Sequence, residues 1–336
     1  MEKFTMDSFK IYSQSDVLNL VNQRAGEIKL GEKAQTVSSL NELQNSSAKF
    51  VLLGIPEDVG VRANYGIGGA KTVWPVALKA LLNAQSNSFL PGEEILILGN
   101  FEIAEPSHKS VDELRKKATE IDDLVYPIIE KVVAAGKIPI IIGGGHNNAY
   151  PIIRGTSLGL KQSINVVNID AHADLRNTEE GRHSGNGFSF ALKNGILNQY
   201  RIFGLHQNYV NQNLPNYLEN NSSVKAIYFE NILQSDVSIY QNWSEFTADL
   251  PSPCGLEIDL DSIENVLSSA VSPSGFALND IRKILLSNKK KYSYLHICEG
   301  AIELTDGRKD LTTGKTIAYL ITDFIKALLP RIYQQP

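Results

Sequence analysis

Six side chains suited to metal ligation stand at three places in this sequence: His146 behind three glycines, Asp170, His172 and Asp174 at alternate positions, and Asp259 with Asp261. In an extended segment side chains repeat every two residues, so Asp170, His172 and Asp174 converge on one side, as do Asp259 and Asp261. Carboxylate and imidazole together make a mixed hard and borderline donor set that suits Mn, Zn or Fe. Taken singly, each has a plainer reading: a histidine after a glycine turn is commonly a loop residue, and alternate aspartates commonly cap a turn. Taken together, four aspartates at strand ends repel one another unless something neutralises them. Two divalent cations balance that charge, so the expectation is a two-metal site with six protein ligands.

The elements that would carry these residues are short β-branched runs, at 49–55, 94–98, 137–142, 164–169, 200–204, 225–229, 255–260 and 293–298. Most are apolar at both alternating sets of positions, the pattern of strands buried between two helical layers. Amphipathic stretches lie between them, notably 110–135, closed by Gly136 at a C-cap position, and a last helix is expected over 311–329. About eight strands alternating with helices predict an α/β fold of three layers, with helices on both sides of a mostly parallel sheet. Sites in such sheets gather at the carboxyl ends of strands; three of the runs lead into the metal-binding residues and a fourth ends beside Glu299. Residues 1–48, polar and rich in Gln, Asn and Ser, read as an N-terminal helical extension, and 49–336 as a single catalytic domain.

The 336 residues are 43% hydrophobic and 21% charged with a net charge of −5, which excludes a disordered chain and a broad basic surface for nucleic acid. No apolar run approaches the roughly 20 residues of a membrane-spanning helix. The first residues lack the charged, apolar, then small-residue order of a secretory signal, so a cytoplasmic location is expected. Lys289–Lys291 reads as a solvated loop, Cys254 and Cys298 as buried thiols, and His206 and His296 as packed or hydrogen-bonded strand residues. The segment 66–72 (GIGGAKT) reads as a structural turn, because Ala70 stands where a phosphate loop needs glycine.

The three metal-binding motifs, in this order, resemble those of the ureohydrolase family of arginases, agmatinases, guanidino-acid hydrolases and formimidoylglutamases, over about residues 49–299. The resemblance implies an arginase-like fold and two Mn²⁺ ions, with other divalent first-row metals compatible with the donors. It implies that His146, Asp170, Asp174 and Asp259 hold one ion and that His172 and Asp261 complete the second, with Asp170 and Asp259 shared. Glu299 matches the family's glutamate that recognises an amidine or guanidinium group. Among the branches, 54–64 (GIPEDVGVRAN), Gly145 before His146, and 183–188 (HSGNGF) are most similar to formimidoylglutamases. Phe188 stands where arginases carry a histidine proposed to shuttle protons; His183, on the other side of the turn, is the candidate acid–base group. Glu257 replaces the family's usual Ser or Thr, and alternation turns it to the ligand face.

The activity so implied is hydrolysis of a C–N bond in a linear amidine: N-formimidoyl-L-glutamate and water give L-glutamate and formamide, a step of histidine breakdown. Two metal ions would acidify a shared water, Asp174 or His183 would move the proton, and Glu299 would orient the reacting carbon. Arg62 and Arg176 are the candidate anchors for substrate carboxylates, with Asn64, Ser184 and Asn186 as further substrate-binding candidates. The alternatives are an arginase or another guanidino hydrolase releasing urea, and a non-catalytic metal-binding or regulatory protein of this fold. The expected partner is a small amidine or guanidino amino acid, neither nucleic acid nor membrane; family members are often trimers or hexamers.

Overall fold

The computed structural model describes residues 8–329; residues 1–7, the start of the expected extension, and 330–336, the end of the expected domain, lie outside the described residues. Among the described residues nine strands form one sheet: β1 (Ser8–Ile11), β2 (Phe50–Gly54), β3 (Ile95–Glu102), β4 (Ile138–Ile142), β5 (Ile164–Ile169), β6 (Leu197–Leu205), β7 (Val224–Tyr228), β8 (Cys254–Asp259) and β9 (Tyr294–Cys298). Their order is β1-β3-β2-β4-β9-β8-β5-β6-β7. Every neighbouring pair is parallel except β1 with β3.

Alternation along the strands divides the core into two layers. Phe50 and Leu52 of β2, with Ile140, Ile142 and Ile297, share a cluster with the apolar faces of helices Val73–Leu82, Leu278–Ser287 and Thr312–Leu328. Val51 and Leu53, with Ile141 and Val166, pack with helices Val111–Ala134 and Ala149–Leu160 on the other side. Burial on both faces explains why these strands are apolar without interruption. Ser110 caps the helix expected over 110–135 by accepting a hydrogen bond from the Glu113 N–H.

All eight expected strands are present, and the ninth, β1, lies in the segment expected to be helical. Ser8–Ile11 pairs antiparallel with Gly99–Glu102, the part of β3 that extends past the expected run, and Phe9 packs edge-on against Phe101 with ring centroids 4.7 Å apart. Pairing at a free sheet edge thus overrides a weak local preference. Short helical turns at Gln14–Leu18 and Leu30–Lys33 follow it. No helix among the described residues is long and apolar enough to cross a membrane.

Five consecutive strands, β2, β4, β9, β8 and β5, are mutually parallel, so their carboxyl ends open on one edge of the sheet. That edge carries Glu57–Asn64 after β2, His146 after β4, Glu299 after β9, Asp259–Asp261 at the end of β8, and Asp170–Asp174 after β5.

Candidate metal centre

The turn that presents His146 depends on glycine. Gly143 and Gly144 both have positive φ, 86° and 78°, and a Cβ on Gly144 would lie 2.3 Å from the Asn148 side chain. Buried Glu57 then ties the turn to the loop after β2. One carboxylate oxygen accepts from Gly145 N–H (3.0 Å), Asn148 Nδ2 (2.5 Å) and Asn147 Nδ2 (3.2 Å), the other from Val59 N–H (2.6 Å). Asp170 is fixed by donation from Asn168 Nδ2 to one oxygen (2.8 Å) and from His172 N–H to the other (2.6 Å). Asp261 N–H donates to Asp259 Oδ1 at 2.9 Å. Asp174 (φ 50°) and Glu299 (φ 61°) are among the five non-glycine residues with positive φ in the described chain, which places backbone strain at the site itself.

These turns bring all six expected ligands together. His146 Nδ1 lies 3.2 Å from Asp170 Oδ2, 2.9 Å from Asp174 Oδ2 and 3.2 Å from Asp259 Oδ2. His172 Nδ1 lies 3.0 Å from Asp261 Oδ2 and 3.7 Å from Asp170 Oδ1. Two donor groups result, His146–Asp170–Asp174–Asp259 and Asp170–His172–Asp261, each with its ligand atoms within 4.8 Å of one another. Asp170 belongs to both through different oxygens; Asp259 belongs to the first. His146 Nδ1 is buried and makes no hydrogen bond despite three carboxylates at its front, and Asp261 Oδ1 is likewise unbonded. A buried ring nitrogen facing unaligned carboxylate oxygens is a set of lone pairs around a common centre, and imidazole with carboxylates fits a first-row divalent ion. The residues present fit two such ions.

The charges show the same imbalance. Burial raises the pKa of Asp259 well above the carboxylate range, helped by Asp261 and Asp170, and burial with Asp170 raises that of Asp174. Asp170 goes the other way: His146 and His172 outweigh its burial. Burial pushes both imidazoles toward neutrality, but Cys298 and then Asp170, Asp174 and Asp259 at His146, and Asp261 and Asp170 at His172, prevail and raise both well above the usual value. Without cations, this cluster can hold its charges only by retaining protons.

Glu299 sits beside the first group: its Oε1 accepts from His146 N–H at 2.8 Å, and burial pushes its carboxyl up to about 8. The other expected residues divide. Asn64 Nδ2 donates to Ser184 Oγ at 3.3 Å, and both Asn64 and Arg176 border Gly185, whose Cβ would meet Asn64 Nδ2 at 3.0 Å and Arg176 Cδ at 3.1 Å. Arg176 is exposed and makes no ion pair among the described residues. Arg62 is already engaged, by Asp58 at 2.8 Å and Glu105 at 2.9 Å. Asn186 builds the turn: it accepts from Arg182 Nη1 and His183 N–H and donates to Gly181 O.

His183 is fully buried, with Nδ1 accepting from Gly185 N–H at 3.1 Å and Nε2 3.4 Å from Glu180. Burial, then Arg115, Arg176 and Arg182, lower its pKa to about 3, so at neutral pH the ring has no proton of ordinary acidity to donate. Phe188 packs its ring edge-on to His146 (centroids 5.1 Å apart) and stacks on Tyr200 (4.1 Å), a hydrocarbon wall beside the first group.

Other residues escaped the sequence reading. Buried Arg182 grips Asp122 through Nε (2.7 Å) and Nη2 (3.0 Å) and donates to Asn147 O (2.6 Å), which locks the His146 turn to the 183–188 turn. Exposed Tyr209 stacks on the His172 ring at 4.6 Å. Glu57 lies within 54–64, where nothing local marks its part in the His146 turn, and Arg182 and Tyr209 have no local signal at all.

Comparison with known proteins agrees with this geometry. Residues 48–300 match the arginase family. The formimidoylglutamase of Geobacillus thermodenitrificans is 28% identical over 305 residues, covering 86% of this chain and 86% of its own, and that of Geobacillus kaustophilus is 29% identical over 292 residues, covering 82% of each. The crystal structure of Bacillus subtilis formimidoylglutamase superposes with a TM-score of 0.72 at 16% identity, covering 91% of this chain and 94% of its own. That of Trypanosoma cruzi formiminoglutamase with Mn²⁺ gives 0.70 at 16% identity, covering 90% and 100%. With its fold, its ordered motifs and three quarters of its length matched, the chain belongs to the arginase family.

Proposed function

We propose that the protein hydrolyses N-formimidoyl-L-glutamate to L-glutamate and formamide at a pair of divalent ions, Mn²⁺ by preference. The observation that carries the reading is the pair of donor groups sharing Asp170, with the Glu299 carboxylate fixed on the His146 N–H beside them. The names of the relatives at 28% and 29% identity support the choice of substrate. His146, Asp170, Asp174 and Asp259 would hold one ion, and Asp170, His172 and Asp261 the other. When bound, the pair supplies the Lewis acidity that makes water nucleophilic at neutral pH.

The remaining tasks fall to side chains. Glu299 keeps one oxygen on the His146 N–H and offers the other to the amidine N–H groups, which holds the planar carbon toward the donor groups. Water attacks that carbon, forming the C–O bond and releasing a proton. Asp174 takes the proton and passes it to the glutamate nitrogen, whose bond to carbon then breaks to leave glutamate and formamide. Asp174 is preferred to His183 because the partners of His183 are Glu180 and Gly185, not the metal-binding carboxylates. Arg176, with Asn64 and Ser184 around Gly185, anchors one substrate carboxylate; Arg62 serves the other when Glu105 releases it. A cytoplasmic location and a homo-oligomer of three or six copies accompany this reading.

The test is metal dependence. Metal-free protein should gain turnover of N-formimidoyl-L-glutamate in step with Mn²⁺ uptake, up to two ions per chain. Turnover indifferent to added Mn²⁺ contradicts the proposal.

A further inference from the structure

Behind His146, on the side away from the three carboxylates, lies a buried carboxylate–imidazole pair that the reaction does not use. Glu257 of β8 and His296 of β9 are register partners, and both are fully buried. His296 Nδ1 lies 2.6 Å from Glu257 Oε2 and its Nε2 lies 3.3 Å from Gly143 O, so both ring nitrogens face acceptors. Tyr294 donates to Glu257 Oε1 at 2.7 Å. Each oxygen of Glu257 is thus held from β9, and the carboxylate has one orientation.

That orientation aims Oε2 at His146. It stands 3.6 Å from His146 Nε2, a buried nitrogen with no hydrogen-bond partner, with the Cys298 thiol completing a group within 4.8 Å. On the opposite edge of the same ring, Nδ1 faces Asp170, Asp174 and Asp259. A neutral imidazole carries one N–H, and the acceptor on one side decides which nitrogen keeps its lone pair. An immobile anion behind Nε2 draws the N–H there and leaves the Nδ1 lone pair pointing into the first donor group. Carboxylates behind a ligating histidine act in this way at metal sites generally.

We propose that Glu257, clamped by His296 and Tyr294, is a positioning residue that sets the tautomer and ring plane of His146 and so the metal affinity of the first donor group. The inference rests on the two-metal reading above. It also assigns His296 a purpose: its Nδ1, 2.6 Å from Oε2, immobilises Glu257 where a buried carboxylate without a partner would be costly.

The test titrates metal-free protein with Mn²⁺ by calorimetry. Glu257→Gln keeps the shape and removes the carboxylate; the double variant E257M/H296L replaces the pair with apolar side chains of similar size and leaves neither member stranded without the other. One of the two Mn²⁺ dissociation constants should rise about 10- to 100-fold in each variant while the other holds. A purely structural role would lower the metal-free Tm with both constants unchanged or shifted together, and either pattern overturns the inference. Wild-type protein that binds no Mn²⁺ would instead defeat the two-metal reading itself. Should neither variant fold, ¹⁵N-histidine NMR of the Zn²⁺-loaded wild type decides: His146 protonated at Nε2 supports the inference, and protonation at Nδ1 overturns it.

Discussion

The Glu299 carboxylate accepts the backbone N–H of His146, 153 residues away, at 2.8 Å. The group proposed to recognise the substrate is thereby tied to a proposed metal ligand, so a displacement of one bears on the other. The positive φ of Glu299 and the hydrogen bond from Glu299 N–H to Gly144 O (3.0 Å) complete this attachment.

Glu299→Gln preserves that acceptor and lies outside both donor groups. The expected result is a loss of about 100-fold or more in kcat/KM, the scale of a misheld reacting carbon, with Mn²⁺ content unchanged. Steady-state kinetics beside metal analysis of the same sample checks it.

Arg176 and Arg62 differ in freedom, so their alanine variants should differ in effect. Arg176→Ala removes a guanidinium that makes no ion pair among the described residues and should raise KM about 10- to 100-fold, the worth of one charge-assisted hydrogen bond or two. Arg62→Ala also strips an ion-pair partner from buried Asp58, leaving Lys71 at 3.6 Å, and should therefore lower Tm as well as raise KM. Kinetics and thermal melts of the two variants separate these outcomes.

His183 offers a test through pH. Its folded pKa is lowered to about 3, while the unfolded chain takes up a proton near the ordinary value of 6.5. Between those values the unfolded state holds the extra proton, so this group's contribution to stability is intact above about pH 6.5 and is lost as pH falls toward 3. His183→Gln should therefore lose less stability than wild type between about pH 7 and pH 4.5, read by urea unfolding of metal-free protein. Its kcat with bound metal should stay close to wild type. A fall of about 100-fold or more would restore His183 as the acid–base group.

The Arg182–Asp122 pair is buried and bidentate. Arg182→Met leaves a buried carboxylate unpaired and should lower the unfolding free energy by about 3 kcal/mol or more. R182M/D122N should recover part of that loss. Chemical denaturation of the three proteins provides the measurement.

Much of this site was legible in the sequence because its expected ligands follow a strand on alternate residues, as in Asp170, His172 and Asp174, and because the strand before them, β5, is buried on both faces. The strand ends then coincide with the chemistry. What escaped notice depends on pairings across the fold. Asp122 and Arg182 are 60 residues apart, and Glu57 reaches Asn148 across 91. β1 lies in a stretch whose polar, Gln-, Asn- and Ser-rich composition reads as helical, and it becomes a strand because β3 presents it an edge. The surroundings of His183 were hidden for a related reason: its position beside the Ser184–Gly185–Asn186 turn says nothing of the three arginines that act on it.

The most direct measurement is the product released by Mn²⁺-loaded protein, with formamide, urea and ammonia assayed separately on N-formimidoyl-L-glutamate and on arginine. The account expects formamide and glutamate in equal amounts from the first substrate and negligible urea from the second. Urea from arginine, with no formamide from N-formimidoyl-L-glutamate, would contradict it.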